Sequence, residues 1–187
     1  MKNHIDKALE VLKNGGIILY PTDTIWGLGC DATNEKAVEK IFKIKKRSES
    51  KSLIILVDDE AKINRYIKHV PDMAWDIIEF AAKPTTVILD GAVSLAKNVI
   101  GEDGSVGIRV CKHPFCSELI RKFSKAIVST SANISGEQSP QSFHDISNEV
   151  KSSVDYIVNL PEFYESKNPP SSIIKINQNF EVKVLRM

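Results

Sequence analysis

Four short segments hold the side chains best suited to chemistry. In YPTDTIWGLGC, Tyr20 to Cys30, two threonines flank Asp23, and glycines follow at Gly27 and Gly29. Hydroxyls and a carboxylate suit a polar ligand, and the glycines let backbone come close to it; the same residues also suit an Asx or ST turn that caps the next element. In KIKKRSESKS the cations Lys43, Lys45, Lys46, Arg47 and Lys51 crowd together. They are either a solvated basic face at a helix end or, through the alternate residues Lys45 and Arg47, a grip on phosphates, for which arginine offers a fork and lysine a point charge. In SVGIRV, beginning at Ser105, the lone Arg109 of an apolar run must answer either a structural carboxylate or an anionic ligand. In STSAN, Ser129 to Asn133, hydroxyls and an amide form either a helix N-cap or an anion cradle.

What is missing narrows the chemistry. Gly27-Leu28-Gly29 lacks the third glycine of a dinucleotide fingerprint, and no glycine loop is followed by a Walker lysine. His4, His69, His113 and His144 lie apart without ligand spacing, so no built metal centre is expected. Cys30 has no evident partner histidine and reads as a packed small hydrophobe, and Trp26 as core packing or else a stacking surface for a ring. With cations and hydroxyls abundant and no nucleophile–base dyad, the inventory points to catalysis by positioning and charge stabilisation, as in nucleotidyl or phosphoryl transfer.

These segments need a frame. Ile5, Ala8, Leu9 and Leu12 recur at helical spacing, stopped by Gly15-Gly16. Ile17 to Tyr20 reads as a buried strand, and helical periodicity resumes at Ala37, Val38, Ile41 and Phe42 behind a cap at Asn34, so a polar loop separates the two. Further strands are expected at 53–57, 85–89, 106–110 and 126–128, helices around 63–67, 74–81 and 115–123, a weaker helix at 142–151, and closing strands at 156–158, 173–176 and 182–185. Helices interleaved with apolar strands predict an α/β fold, a sheet covered by helices on both faces, with ligand groups at strand ends. The linker-like stretch 161–170 reads as a loop inside one domain spanning 1–187.

Composition fits. The chain has 187 residues, 42% of them hydrophobic, and its 25 basic and 24 acidic residues leave a net charge of +1. No global field drives it onto nucleic acid or membrane, so a charged partner needs a local patch. Cys30, Cys111 and Cys116 are an odd three without metal spacing, no leader opens the chain, and no apolar run approaches the roughly 20 residues of a membrane span, which together predict a cytoplasmic protein.

Together the segments resemble one family over nearly the whole chain, the YrdC-type threonylcarbamoyl-AMP synthases. YPTDTIWGLGCDA is similar to its proline-threonine-acid-threonine signature, KIKKR with KSLIILV to its Lys-x-Arg element and following strand, SVGIRV to its arginine strand, and STSANISG to its serine-asparagine loop. The resemblance implies the YrdC/RibB-like architecture, three layers with helices on both faces of a twisted mixed sheet. It also implies a nucleotidyltransferase making threonylcarbamoyl-AMP and pyrophosphate from L-threonine, bicarbonate or CO2 and ATP, magnesium arriving on the nucleotide, for tRNA threonylcarbamoyladenosine modification.

Carried across by motif, Thr24, Arg109, Ser129 and Ser171 would surround threonine, and Lys45, Arg47, Lys51, Ser105, Ser131, Asn133, Ser139 and Arg186 would hold ATP, Lys45 and Arg47 being catalytic. Asp23 would orient its loop or help hold magnesium. A carbamate formed on threonine would attack the α-phosphorus, with 161–170 as a lid over the labile intermediate. The chain departs from the family pattern at Ala81 to Pro84, where Trp-Pro-Gly-Pro is usual, at Leu56, where histidine is common, at Cys111, where proline is usual, and at Pro170-Ser171-Ser172, where Glu-Ser-Thr is usual. The resemblance further implies downstream tRNA-modification proteins as partners. Two other readings stand beside it, an RNA-binding module gripping phosphates through the Lys43–Lys51 patch and a diverged relative with a different acceptor.

Overall fold

The computed structural model describes residues 1–47, 53–165, 167–177, 179 and 181–187. Helix α1 (Lys2–Lys13) buries Ile5, Ala8 and Leu12 along one stripe and stops at Gly15, whose φ of 71° glycine takes without strain. Strand β1 (Ile18–Tyr20) does not run into an uninterrupted loop. It pairs antiparallel with a second strand, β2 (Gly27–Asp31), in the stretch expected to be a polar loop. Two glycines concealed this strand, and packing explains them: a Cβ at Gly29 would lie 2.7 Å from the Tyr20 ring and 2.9 Å from the Val128 carbonyl oxygen.

Helix α2 (Glu35–Ile44) starts as expected, with Asn34 accepting a hydrogen bond from the Ala37 N–H. Then come β3 (Ile54–Val57), α3 (Asp72–Phe80), β4 (Thr85–Leu89), β5 (Val106–Val110), α4 (Pro114–Phe123), β6 (Ile127–Ser131), α5 (Asn148–Ser152), β7 (Tyr156–Ile157), β8 (Ser172–Ile176) and β9 (Val182–Arg186). The helix expected around 63–67 is a 3-10 helix, Glu60–Arg65. The one expected at 142–151 shrinks to α5, because the Asp145 carboxylate accepts from the backbone N–H groups of Gln141 and Ser142 and holds that stretch as a turn.

The strands form one nine-stranded sheet in the order β7-β1-β2-β6-β3-β5-β4-β8-β9. It is mixed: β1–β7, β3–β5 and β4–β8 are parallel and the other neighbours antiparallel. Side chains alternate between its faces. Ile55, Val57, Ile108 and Val128 meet Ile41 and Phe42 of α2 on one face, while Ile18, Leu56 and Ile127 meet Leu12 of α1 and Phe115 and Leu119 of α4 on the other. A smaller apolar group around Trp26, Leu28, Ile134 and Val150 backs α5. Helices thus lie on both faces, but α1 and α4 leave part of their face to a cleft.

Candidate active site

The cleft, about 250 Å3, is lined by Thr24, Trp26, Gly27, Arg47, Ile54, Arg109, Ser129, Ser131, Ser139, Pro170, Ser171 and Arg186 among others. Eight of the expected site residues therefore meet: Thr24, Arg47, Arg109, Ser129, Ser131, Ser139, Ser171 and Arg186. Three are guanidinium groups, and among the described residues the lining contains no carboxylate. Such a hollow attracts anions.

The first loop divides its work between two threonines. Thr22 Oγ1 accepts from the Thr24 N–H at 3.0 Å and donates to the Ile25 carbonyl at 2.8 Å, which is an ST turn, while Thr24 faces the cleft. Arg109 likewise takes both of its alternatives. Its Nη2 pairs with Asp23 Oδ1 at 3.0 Å, and its side chain, only 3% exposed, still reaches the lining. Asp23 thereby fixes the Arg109 head. No set of three metal-ligating side chains occurs among the described residues, and the described lining of the cleft holds no carboxylate.

Lys45 and Arg47 part company at the end of α2. The N–H of Lys46 bonds the Lys43 carbonyl and that of Arg47 the Phe42 carbonyl, a Schellman turn with Lys46 left-handed at φ 49°. Arg47 consequently joins the lining, whereas Lys45, 2% exposed, stays out of it, behind Ser131. Its Nζ donates to the carbonyls of Ser131 at 2.6 Å and Asn133 at 2.7 Å, and burial, with the charge of Arg47, brings its pKa down to about 8. Lys45 is thus a clamp on the loop leaving β6 rather than a lining residue. Asn133 shapes the same loop by donating to the carbonyls of Ile134 and Glu137. Ser105 sits at the other end of β5 from Arg109 and donates to Asp103 Oδ1 at 2.6 Å. Neither Asn133 nor Ser105 lines the cleft. Lys51 lies outside the described residues.

The far wall comes from β8 and β9. Their register sets Arg186 opposite Ile173, and Arg186 Nε donates to the Ser171 carbonyl at 2.8 Å. Burial and the nearby charge of Arg109 lower the Arg186 pKa. The sequence reading missed Thr86. Fully buried on β4, it shares a 2.8 Å hydrogen bond between its hydroxyl and that of Ser171. The only signal was a hydroxyl in the apolar run TTVIL.

Trp26 is both packed and in the lining. Its indole N–H donates to the Phe163 carbonyl at 3.3 Å, and the Phe143 ring, 4.9 Å from it, stacks on Tyr164. The start of the expected lid is therefore pinned to Trp26, and its end, Pro170, reaches the cleft. No helix among the described residues is long and apolar enough to cross a membrane.

Known proteins share this architecture. The Sua5/YciO/YrdC family model, described as "Telomere recombination", matches residues 10–187. A Methanocaldococcus jannaschii relative is 39% identical over 179 residues, covering 92% of this chain and 82% of its own length. A threonylcarbamoyl-AMP synthase of Pseudoalteromonas translucida is 33% identical over 160 residues, covering 84% and 86%. The structure of P. abyssi Sua5 complexed with L-threonine superposes with a TM-score of 0.81 at 27% identity, covering 91% of this chain and 50% of that one, so the chain spans half of its length. In fold and in sequence, the chain belongs to the Sua5/YciO/YrdC family.

Proposed function

We propose that the chain is a threonylcarbamoyl-AMP synthase, a nucleotidyltransferase that joins L-threonine, bicarbonate or CO2 and ATP into threonylcarbamoyl-AMP and pyrophosphate for tRNA modification. One observation carries this reading: Arg47, Arg109 and Arg186 share a hydroxyl-lined hollow with no carboxylate among its described lining residues. An amino-acid carboxylate and a triphosphate both need such a lining. Arg109, held by Asp23, takes the threonine carboxylate, with the Thr24, Ser129 and Ser171 hydroxyls around the rest of the molecule. Arg47 and Arg186 face the phosphates beside Ser131 and Ser139.

In the reaction the threonine amine takes up CO2 to give a carbamate, whose oxygen attacks the α-phosphorus of ATP as pyrophosphate leaves. Negative charge spreads over the phosphate oxygens in the transition state, and fixed guanidiniums stabilise it without reorganising. The hydroxyls hold carbamate and phosphorus in line. Lys45 acts through the Ser131–Asn133 loop, which it fixes by two carbonyl contacts. Magnesium would travel with the nucleotide, and the acyl-adenylate would pass to downstream tRNA-modification proteins. The decisive assay is pyrophosphate release, expected only when threonine, bicarbonate and ATP are all present. Release that ignores threonine would mean a different acceptor.

A further inference from the structure

A second hollow backs onto the cleft. About 680 Å3 in volume, within the range of small-molecule sites, it opens between α3 and the ends of β4, β8 and β9. Its walls are mostly apolar: Ile77 and Phe80 of α3, Ile174 of β8 and Met187 just beyond β9, with Ala81 and Ala82 adding only methyls. Phe80 is 76% and Met187 86% exposed, and apart from Met1 every exposed large apolar side chain among the described residues belongs to α3 or to β9 and the residue after it. Apolar surface left open around a cavity marks a place where something binds. Consecutive residues divide between the two hollows, Ser171 lining the cleft and Ser172 the second one. Ser172 is 6% exposed and its hydroxyl has no hydrogen-bond partner, a group that an incoming acceptor would satisfy. Arg186 lines both hollows. Its Nε is held by the Ser171 carbonyl and its Nη2 lies 3.4 Å from the Ser171 hydroxyl, so the guanidinium stands on the boundary. Lys83, in no ion pair among the described residues, adds a second cation, against one side-chain carboxylate, that of Asp76.

We propose that this hollow is a second ligand site, for a small aromatic carboxylate whose ring lies against Phe80 and Met187 and whose head pairs with Arg186, and that its ligand competes with the cleft for that arginine. The ring meets an aromatic face and a polarisable thioether, and the carboxylate meets the planar fork that a guanidinium offers. Ser172 and Lys83 stand beside the head as further donors. A guanidinium engaged from this side is lost to the phosphates on the other, so the second ligand weakens the hold on the nucleotide. By linkage, a nucleotide in the cleft weakens the second ligand by the same factor. The competition rests on the function proposed above; binding in the second hollow does not.

The methionines give a local readout, because the chain has only Met1, Met73 and Met187. In protein with isotope-labelled methionine methyls, titration with naphthoate should move the Met187 signal, with a Kd of about 1 mM or tighter, and leave Met1 on the far helix unmoved. Naphthol, of similar shape but uncharged, should bind about tenfold more weakly. Ala81→Trp, which fills the hollow from outside the cleft, should abolish the shift and keep the uninhibited rate of pyrophosphate release within about twofold of the parent. Naphthoate should raise the KM for ATP by about fivefold in the parent and leave it unchanged in Ala81→Trp. Phe80→Ala, at an exposed side chain, should weaken naphthoate by about tenfold and decides the matter even where Ala81→Trp fails to fold. An unmoved Met187 signal, or naphthol bound as tightly as naphthoate, would overturn the site. So would a Met187 shift that follows protein concentration without ligand, since a second copy of the chain would then cover this face. An equal rise in KM in Ala81→Trp, or none in the parent, would overturn the competition. Protein that released no pyrophosphate at all would sink the synthase reading, and the titration would still decide the site.

Discussion

Strand β5 has two sides with opposite duties. Val106 and Ile108 point into the larger apolar layer under α2, and Gly107 and Arg109 point the other way, towards the cleft. Strand β6 repeats the division, with Val128 in that layer and Ser129 in the cleft. Gly107 matters on its side because a Cβ there would lie 2.8 Å from Ile54 Cγ2, so the floor is filled without it. A period-two element can therefore hold stability on one face and binding on the other, and substitutions one residue apart should separate them.

The largest expected effect is at Arg109. Arg109→Ala should lower pyrophosphate release by about 10³-fold. It should also lower urea-measured stability by about 3–5 kcal/mol, because Asp23 is left without its ion partner. Its neighbour Ile108→Ala should cost about 2–5 kcal/mol of stability in the same unfolding assay, while kcat/KM per folded molecule stays at the parent value. Loss of activity per folded molecule in Ile108→Ala would erase the distinction between the sides.

Thr86→Val, which removes the buried bond to Ser171, should raise the threonine KM by about tenfold with kcat little changed, and Thr86→Ser should restore it. The smallest effect belongs to the end of β5 away from the cleft. Hydrogen bonds from Lys175 and Ser105 lower the Asp103 pKa to about 2 from 3.8, so its contribution to stability is present above pH 3.8 and disappears as the pH falls through 2. For so exposed a group the gain is at most about 1 kcal/mol, and Asp103→Asn should remove that acid sensitivity while leaving turnover at pH 7 within about twofold. A large loss of turnover would return Ser105 to the binding site.

Most of the frame was legible because buried strands such as Ile17–Tyr20 and Val106–Val110 are unbroken apolar runs between helix-spaced segments. β2 was not, since Gly29 makes room for Tyr20 and Gly27 for Ser129 and Thr130, which is packing rather than any propensity. At the site, Arg109 announced itself as a charge in an apolar run, and the structure gave it both a carboxylate and a cleft. Lys45 and Arg47 looked alike at alternate positions. What separates them is a single left-handed residue, Lys46, which no pattern of residue types foretells at a lysine. Thr86 stayed hidden because its partner, Ser171, is 85 residues away in the chain.

On the proposed function, the Arg47 and Arg186 guanidiniums that would receive a triphosphate would attract other polyanions alike, spent pyrophosphate included. If that function holds, departure of the product, more than bond making, is the step such a hollow would retard. Added salt screens the field, hastening escape and weakening capture together, so turnover should pass through a maximum at intermediate ionic strength.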